Sequence, residues 1–246
     1  MRKFYSIIIP VKNQELKINN NINRLLNKVK KTNFILDWEI ILIDDCSTDK
    51  TFLKILEIQK NNKKIKIFKN KVNRGKGYSI KKGVSLVNKN SNKIVLIDSD
   101  IPYYNSLGIF LKKLHINNLV IINRKHKKSR LKIKEKNFYI YYRIFIGHIL
   151  NLIFRFLGLT KLKDTQAGLK GFDINFKDVL KKVRTNGFLY DLEFLMVLEK
   201  KKINPILIPC IYTISKKSSI GFNLKVYLKI LFDLFKIIIN FISKNY

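Results

Sequence analysis

The sequence predicts an α/β fold, a mostly parallel sheet flanked by helices, and three observations predict it. Nearly continuous apolar runs recur along the chain, the pattern of parallel strands buried on both faces. Between them, apolar residues return at helical spacing. Two of the runs end in clustered carboxylates, and in an open α/β sheet the carboxyl ends of the strands face the crevice where ligands bind.

Residues 4–11 (FYSIIIPV) are the first such run, and Lys12-Asn13-Gln14-Glu15 is the loop after it. Ile18, Ile22, Leu25, Leu26 and Val29 follow at helical spacing, and residues 38–43 form a second buried strand, completing a β-α-β unit. That strand ends in Asp44-Asp45-Cys46-Ser47-Thr48-Asp49, with Ser47 or Thr48 as N-cap of a helix begun by Phe52, Ile55 and Leu56, and helix capping as the alternative role for Asp49. A third strand at 65–68 precedes Asn73-Arg74-Gly75-Lys76-Gly77. Residues 93–97 are a strand, 102–114 a helix and 119–122 a further strand.

From 124 to 136 eight of thirteen residues are Lys or Arg, so an exposed mobile loop is expected, either a solvated charge run or an anion-gripping flap. Residues 137–159 read as a helix with a broad apolar face and a thin stripe of Arg143, His148, Asn151 and Arg155. A strand-like segment ends near Phe172, Asn175 caps a helix running to Val183, and Asp191 and Glu193 open another running to Lys201. Residues 206–212 are a last strand, followed by a polar loop at 215–221. The final helix spaces Lys225, Lys229, Asp233, Lys236, Asn240 and Lys244 by three or four, with nearly everything between them apolar. It reads as a helix lying on lipid with its lysines toward the headgroups, or as one packed on the 137–159 helix.

With 246 residues and 46% hydrophobic content, the chain suits one large domain over 1–221, including the 124–136 loop and the 137–159 helix, with an appended amphipathic helix over 222–246. Its +33 charge points to an anionic partner. Lys, Asn and Ile are abundant throughout, as an AT-rich coding sequence produces, so the clustering of charge is more informative than its sum. Cys46 and Cys210 make no disulfide framework, which fits a reducing compartment. The first strand begins too early to leave room for a secretory signal, and no apolar stretch is long enough to span a bilayer, so a peripheral location on the cytoplasmic face of a membrane is expected.

The chemistry concentrates at three strand ends. Asp98 and Asp100, one residue apart, can place oxygens near one hard cation, Mg²⁺ or Mn²⁺, with positions left for a substrate phosphate, or can form an ordinary solvated turn. Asp44 and Asp45 face the same crevice. Glycines 75 and 77 let the backbone approach a ligand, and Arg74 and Lys76 can meet phosphate; the spacing is not that of a Walker loop.

Taken in order, Ile8-Ile9-Pro10-Val11-Lys12-Asn13, the Asp44–Asp49 hexapeptide, Asn73-Arg74-Gly75-Lys76-Gly77 and Asp98-Ser99-Asp100 resemble the family-2 glycosyltransferases, which have the GT-A nucleotide-sugar-binding fold. Asp164-Thr165-Gln166-Ala167-Gly168-Leu169-Lys170 and Tyr190-Asp191-Leu192-Glu193-Phe194 are similar to the dolichyl-phosphate, or polyprenyl-phosphate, β-glucosyltransferase branch. The resemblance implies that Pro10, Val11, Asn13, Gln14, Asp44, Asp45, Gly75, Lys76 and Ser99 hold the nucleotide, that Asp98 and Asp100 hold the metal, and that Arg124, Arg130, Gln166 and Glu193 face the acceptor or its phosphate. Gln14 stands where the family usually has Glu, Cys46 where Gly is commonest, and Pro102 where some relatives carry a third ligand.

It further implies inverting, single-step displacement from a UDP-sugar, with UDP-glucose the expected donor and a polyprenyl phosphate the expected acceptor. A phosphate acceptor is already anionic and needs orientation, whereas a sugar hydroxyl, as in surface-polysaccharide synthesis, needs a general base, for which Asp191 or Asp164 is the candidate. A membrane protein is a further candidate partner for the carboxyl-terminal helix. Nucleic-acid binding is disfavoured, because the basic residues sit on a catalytic-looking scaffold without a nucleic-acid module.

Overall fold

A computed structural model describes residues 2–133, 138–213 and 224–243. The loop expected at 215–221 and Lys244 lie outside them. Strands β1 (Lys3–Val11), β2 (Ile35–Asp44), β3 (Ile65–Lys69), β4 (Lys93–Ile97), β5 (Leu119–Ile122), β7 (Leu169–Asp173) and β8 (Ile206–Ile208) form one seven-stranded sheet in the order β3-β2-β1-β4-β7-β5-β8. All neighbours are parallel except β7, which runs antiparallel between β4 and β5. The α/β, mostly parallel architecture is therefore as expected.

The continuous apolar runs reflect burial on both faces. Along β1, Ile7 and Ile9 enter one core while Ile8 enters the other; along β2, Ile40 and Leu42 alternate in the same way with Ile41 and Ile43. Helices α1 (Ile18–Lys30), α2 (Thr51–Lys60) and α4 (Leu107–Ile116) cover the first face; α3 (Lys76–Ser85), α6 (Lys177–Lys182) and α7 (Tyr190–Lys200) cover the second. The predicted caps shift slightly. Asp49, not Ser47 or Thr48, accepts from Thr51 N at the start of α2, and Asp173 accepts from Asn175 N before α6.

Two expectations are corrected. The basic stretch is not a free loop over its described part. Arg130–Leu131 form β6, which pairs with β9 (Ile211–Tyr212), and Ser129 Oγ donates to Asn123 O at 2.6 Å while accepting from Cys210 N at 3.0 Å. The single strand expected at 206–212 is accordingly split, its second half leaving the main sheet to hold the basic segment. Residues 134–137 lie outside the described residues.

A third core joins α5 (Phe138–Phe156), α7 and α8 (Leu224–Ile242), through Phe154, Leu192, Met196, Ile230, Leu234 and Ile237. Of the two alternatives for the last helix, packing on the 137–159 helix is seen. One side packs on protein, and the other exposes Leu228, Leu231, Phe232, Phe235, Ile239 and Ile242. Along this helix Lys229 and Lys236 are exposed, whereas Asp233 and Asn240 are buried. No helix among the described residues is long and apolar enough to cross a membrane.

Candidate active site

The loops at the carboxyl ends of β1, β2 and β4 come together. Where β1 ends, Asn13 turns with φ of 49°, its N–H donates to Ser47 Oγ at 3.0 Å, and its Oδ1 accepts from Thr48 N at 2.9 Å. Gln14 N donates to Thr51 Oγ1 at 2.7 Å. These bonds tie the loop after Pro10 and Val11 to the loop after β2. Cys46, at the position where the family favours glycine, adopts φ of 58°, the left-handed conformation that glycine enters without penalty.

Asp45 does not present a free carboxylate to a nucleotide. It accepts from Asn70 Nδ2 (2.8 Å), Arg74 N (2.9 Å) and Gly75 N (2.8 Å), and so latches the glycine loop to β2. Its neighbour Asp44 is fully buried, accepts from Ser47 N, and leaves Oδ1 without a hydrogen-bond partner among the described residues. Such an oxygen is satisfied by a ligand N–H or by water.

β4 ends immediately before Asp98, and Ser99 O is held by Asn21 Nδ2 at 2.9 Å. After Asp100 the chain turns through Ile101 at φ of 44°, a strained conformation for a buried β-branched residue that costs on the order of 1–3 kcal/mol. The Asp98-Ser99-Asp100 turn is thus not an ordinary relaxed one. Lys76 Nζ lies 2.7 Å from Asp98 Oδ1 and 3.7 Å from Asp191 Oδ2; burial opposes its charge, but Asp98 and Asp191 hold its pKa above the ordinary lysine value.

Burial, and then the charge of Asp98, pushes the Asp100 carboxyl up to about 6, with Lys76 pulling the other way. A divalent cation would remove that repulsion beyond what Lys76 does, so the pair fits one. Among the described residues no group of three or more His, Cys, Asp or Glu could hold an ion. Asp98 and Asp100 would therefore give two oxygens, with the rest coming from substrate and water; Pro102 gives none.

On the far side, Arg124 grips Asp164 through N, Nε and Nη2 at 2.8, 2.8 and 2.6 Å. Burial raises the Asp164 carboxyl, but Arg124 outweighs it and holds the group below its usual value. Asp191 is buried with Lys170 Nζ 2.5 Å from its Oδ1. Thr165 Oγ1 and Gln166 Nε2 are buried without partners among the described residues, consistent with a ligand or water between them.

Glu193 does not reach the acceptor side: it is fully buried and accepts from Arg184 N, Thr185 N and Thr185 Oγ1 at 2.8, 2.9 and 2.6 Å. Arg130 is exposed on β6. Sequence reasoning missed Lys170, whose signal was a lysine between Leu169 and Gly171 in strand β7, and missed Ile101 and the Asn186-Gly187 segment, whose importance lies in backbone geometry.

This arrangement defines a class. The fold is that of the GT-A glycosyltransferases: glucosyl-3-phosphoglycerate synthase from Mycobacterium tuberculosis, solved with UDP, superposes with a TM-score of 0.65 at 14% identity, covering 96% of this chain and 80% of that one. A second structure of that enzyme, with Mn²⁺, UDP and phosphoglyceric acid, gives 0.67 at 14% identity, covering 96% of this chain and 78% of that one.

The chain belongs to glycosyl transferase family 2, whose model matches residues 6–183. It is 24% identical over 212 residues to a dolichyl-phosphate beta-glucosyltransferase of Dictyostelium discoideum, covering 81% of this chain and 63% of that protein. It is 26% identical over 219 residues to the protein of the same description from Saccharomyces cerevisiae, covering 81% and 64%. The chain therefore spans somewhat less than two thirds of the length of these curated relatives.

Proposed function

We propose that the chain transfers glucose from UDP-glucose to a polyprenyl phosphate, working on the cytoplasmic surface of a membrane. One observation carries the acceptor class. Both carboxylates that could deprotonate a hydroxyl are already committed to cations, Asp164 to Arg124 and Asp191 to Lys170 and Lys76. A carboxylate so held is a poor base, whereas a phosphate oxygen is anionic at pH 7 and needs only to be oriented.

The surroundings suit an anionic amphiphile. Beside the Arg124–Asp164 pair is a cavity of about 300 Å³ lined by Lys125, His148, Asn151, Leu152, Arg155 and Lys163. The apolar residues exposed on α5 and α8 supply a surface for lipid, among them Phe145 and Phe156 on α5. The names of the curated relatives supply the glucosyl and dolichyl-phosphate parts of the reading.

In this reading the β1 and β2 loops cradle the nucleoside, Asp44 Oδ1 offers it an acceptor, and Arg74 and Lys76 face the diphosphate. Asp98 and Asp100 would hold Mg²⁺ or Mn²⁺, which when bound stabilises charge on the leaving diphosphate. Arg124, whose Nη1 makes no hydrogen bond among the described residues, and Arg130 orient the acceptor phosphate. Its oxygen forms the bond to the anomeric carbon from the face opposite the leaving group, the bond to UDP breaks with its electron pair on the diphosphate, and no proton moves. The anomeric configuration inverts.

The test is transfer from UDP-glucose, with Mn²⁺ and detergent, to a polyprenyl phosphate and to water-soluble hydroxyl acceptors in parallel. Transfer to the phosphate, abolished in Asp98→Ala with Asp100→Ala, is expected. Transfer to hydroxyls alone would overturn the acceptor assignment. Flotation with anionic vesicles, weakened by Leu231→Glu with Phe235→Glu, tests the membrane surface.

A further inference from the structure

Helix α8 carries a buried acid, Asp233, in a segment that is otherwise mostly apolar. Burial pushes its carboxyl pKa up, Lys229 and Lys236 pull it back, and Glu193 adds to the rise. Burying a carboxylate is unfavourable unless it is well partnered, and an apolar side chain would serve packing on α7 better. Its carboxylate faces the backbone of Gly187, whose N–H favours the charged form. A Cβ on Gly187 would lie 2.5 Å from Asp233 Oδ2, so only glycine permits the approach.

Seven residues on, buried Asn240 accepts from Arg184 Nη1 at 2.6 Å and donates to Lys236 O at 2.8 Å. α8 therefore grips residues 184 and 187 from one side. The same short segment is held by Glu193 of α7, and by Lys81 Nζ of α3, which donates to Val183 O at 3.0 Å and Thr185 O at 3.2 Å. Its other face meets the glycine loop. Asn186 O accepts from Tyr78 N at 3.2 Å, and a Cβ on Gly75 would lie 2.5 Å from that oxygen. Gly75 has φ of 96° and donates to Asp45, and the next residue, Lys76, reaches Asp98.

We propose that Asp233, supported by Asn240, is a positioning residue for the donor loop: it fixes Gly187, Gly187 fixes Asn186 O, and that carbonyl sets where Gly75 and Lys76 stand relative to Asp98. The proposal rests on the reading of the crevice as a nucleotide-sugar site. It adds that α8 is part of the donor-binding machinery although its residues are remote in sequence from every donor motif. Because the opposite side of α8 is the exposed apolar one, the loop that meets the diphosphate is braced by the element proposed to lie on lipid.

The test uses the full chain. UDP affinity with Mn²⁺ is measured by calorimetry for the wild type, Asp233→Ala, Asp233→Asn and Asn240→Ala, together with thermal midpoints and hydrogen exchange at the amides of residues 74–78. Asp233→Ala is expected to weaken UDP binding by about tenfold, the scale of a lost hydrogen bond to a charged group, and to raise exchange at 74–78 selectively. Asp233→Asn, which keeps an oxygen for Gly187 N–H, restores both. In transfer assays the KM for UDP-glucose rises while that for the acceptor stays.

Unchanged affinity and unchanged exchange in folded Asp233→Ala would overturn the proposal, as would exchange raised uniformly along the chain. If Asp233→Ala does not fold, Asn240→Ala decides on the same two readouts. A wild type that binds no UDP refutes the donor site itself, and selective exchange at 74–78 then still decides the positioning role.

Discussion

Gly168 and Asp98 stand in a contact that only glycine allows. Asp98 N donates to Gly168 O at 2.9 Å, and a Cβ on Gly168 would run into the Asp98 carboxylate. The Asp164–Lys170 segment therefore lies directly against the Asp98–Asp100 turn. The antiparallel strand β7 makes this possible, since it lays Leu169 opposite Ile97 and carries the chain past the end of β4.

Gly168→Ala is expected to displace the Asp98 carboxylate, because neither backbone can yield without breaking the β4–β7 pairing. Binding of Mn²⁺ with UDP, measured by calorimetry, should fall by tenfold or more, about 1.4 kcal/mol, in protein that remains folded by circular dichroism.

The raised Asp100 pKa sets a pH dependence. A carboxyl held near 6 is protonated below that pH and is then a poor ligand for a cation. Affinity for Mn²⁺ with UDP should rise between pH 5 and pH 7.5, and Asp100→Asn should remove most of that rise. Calorimetry at three pH values checks it.

The Arg124–Asp164 pair makes the opposite kind of prediction, about stability. The folded pKa of Asp164 is lowered, so its contribution is fully present above the unfolded carboxylate value and is lost as pH falls through the folded one. Asp164→Asn leaves the partly exposed Arg124 guanidinium without its buried counter-ion, costing about 2 kcal/mol near pH 7, below the range for a fully buried pair. The difference between wild type and variant, from urea unfolding, should shrink toward zero in strong acid.

Cys46 pays a backbone penalty at φ of 58° and donates from Sγ to Lys71 O at 3.7 Å, a weak bond. Cys46→Gly should relieve it, for a gain of up to about 1 kcal/mol or a rise of a few degrees in Tm, read by thermal unfolding. The substitution leaves the Asn13–Thr48 bond in place, so UDP affinity should not fall.

Much of the fold was legible in the sequence because its strands are buried on both faces. Ile7 to Ile9 and Ile40 to Ile43 must all be apolar when helices cover both sides of the sheet, and that leaves a run no loop would produce. The direction of β7 was not legible, because a strand carries no mark of its orientation. Nor was the split between β8 and β9, which depends on the basic segment folding back to pair with β9 through Arg130 and Leu131.

The site divides in the same way. The sequence by itself determined which side chains end the strands, since Asp44, Asp45, Asp98 and Asp100 follow apolar runs whose length fixes where they emerge. Only the tertiary structure decided what those carboxylates do. Asp45 became a latch for Gly75, Glu193 a brace for Thr185, and Asp164 and Asp191 ion-paired neighbours of Arg124 and Lys170. The physical reason is that a carboxylate's role follows from its donors and counter-charges within a few ångströms, and residues such as Lys170 and Asp191 meet only when the sheet and α7 are assembled.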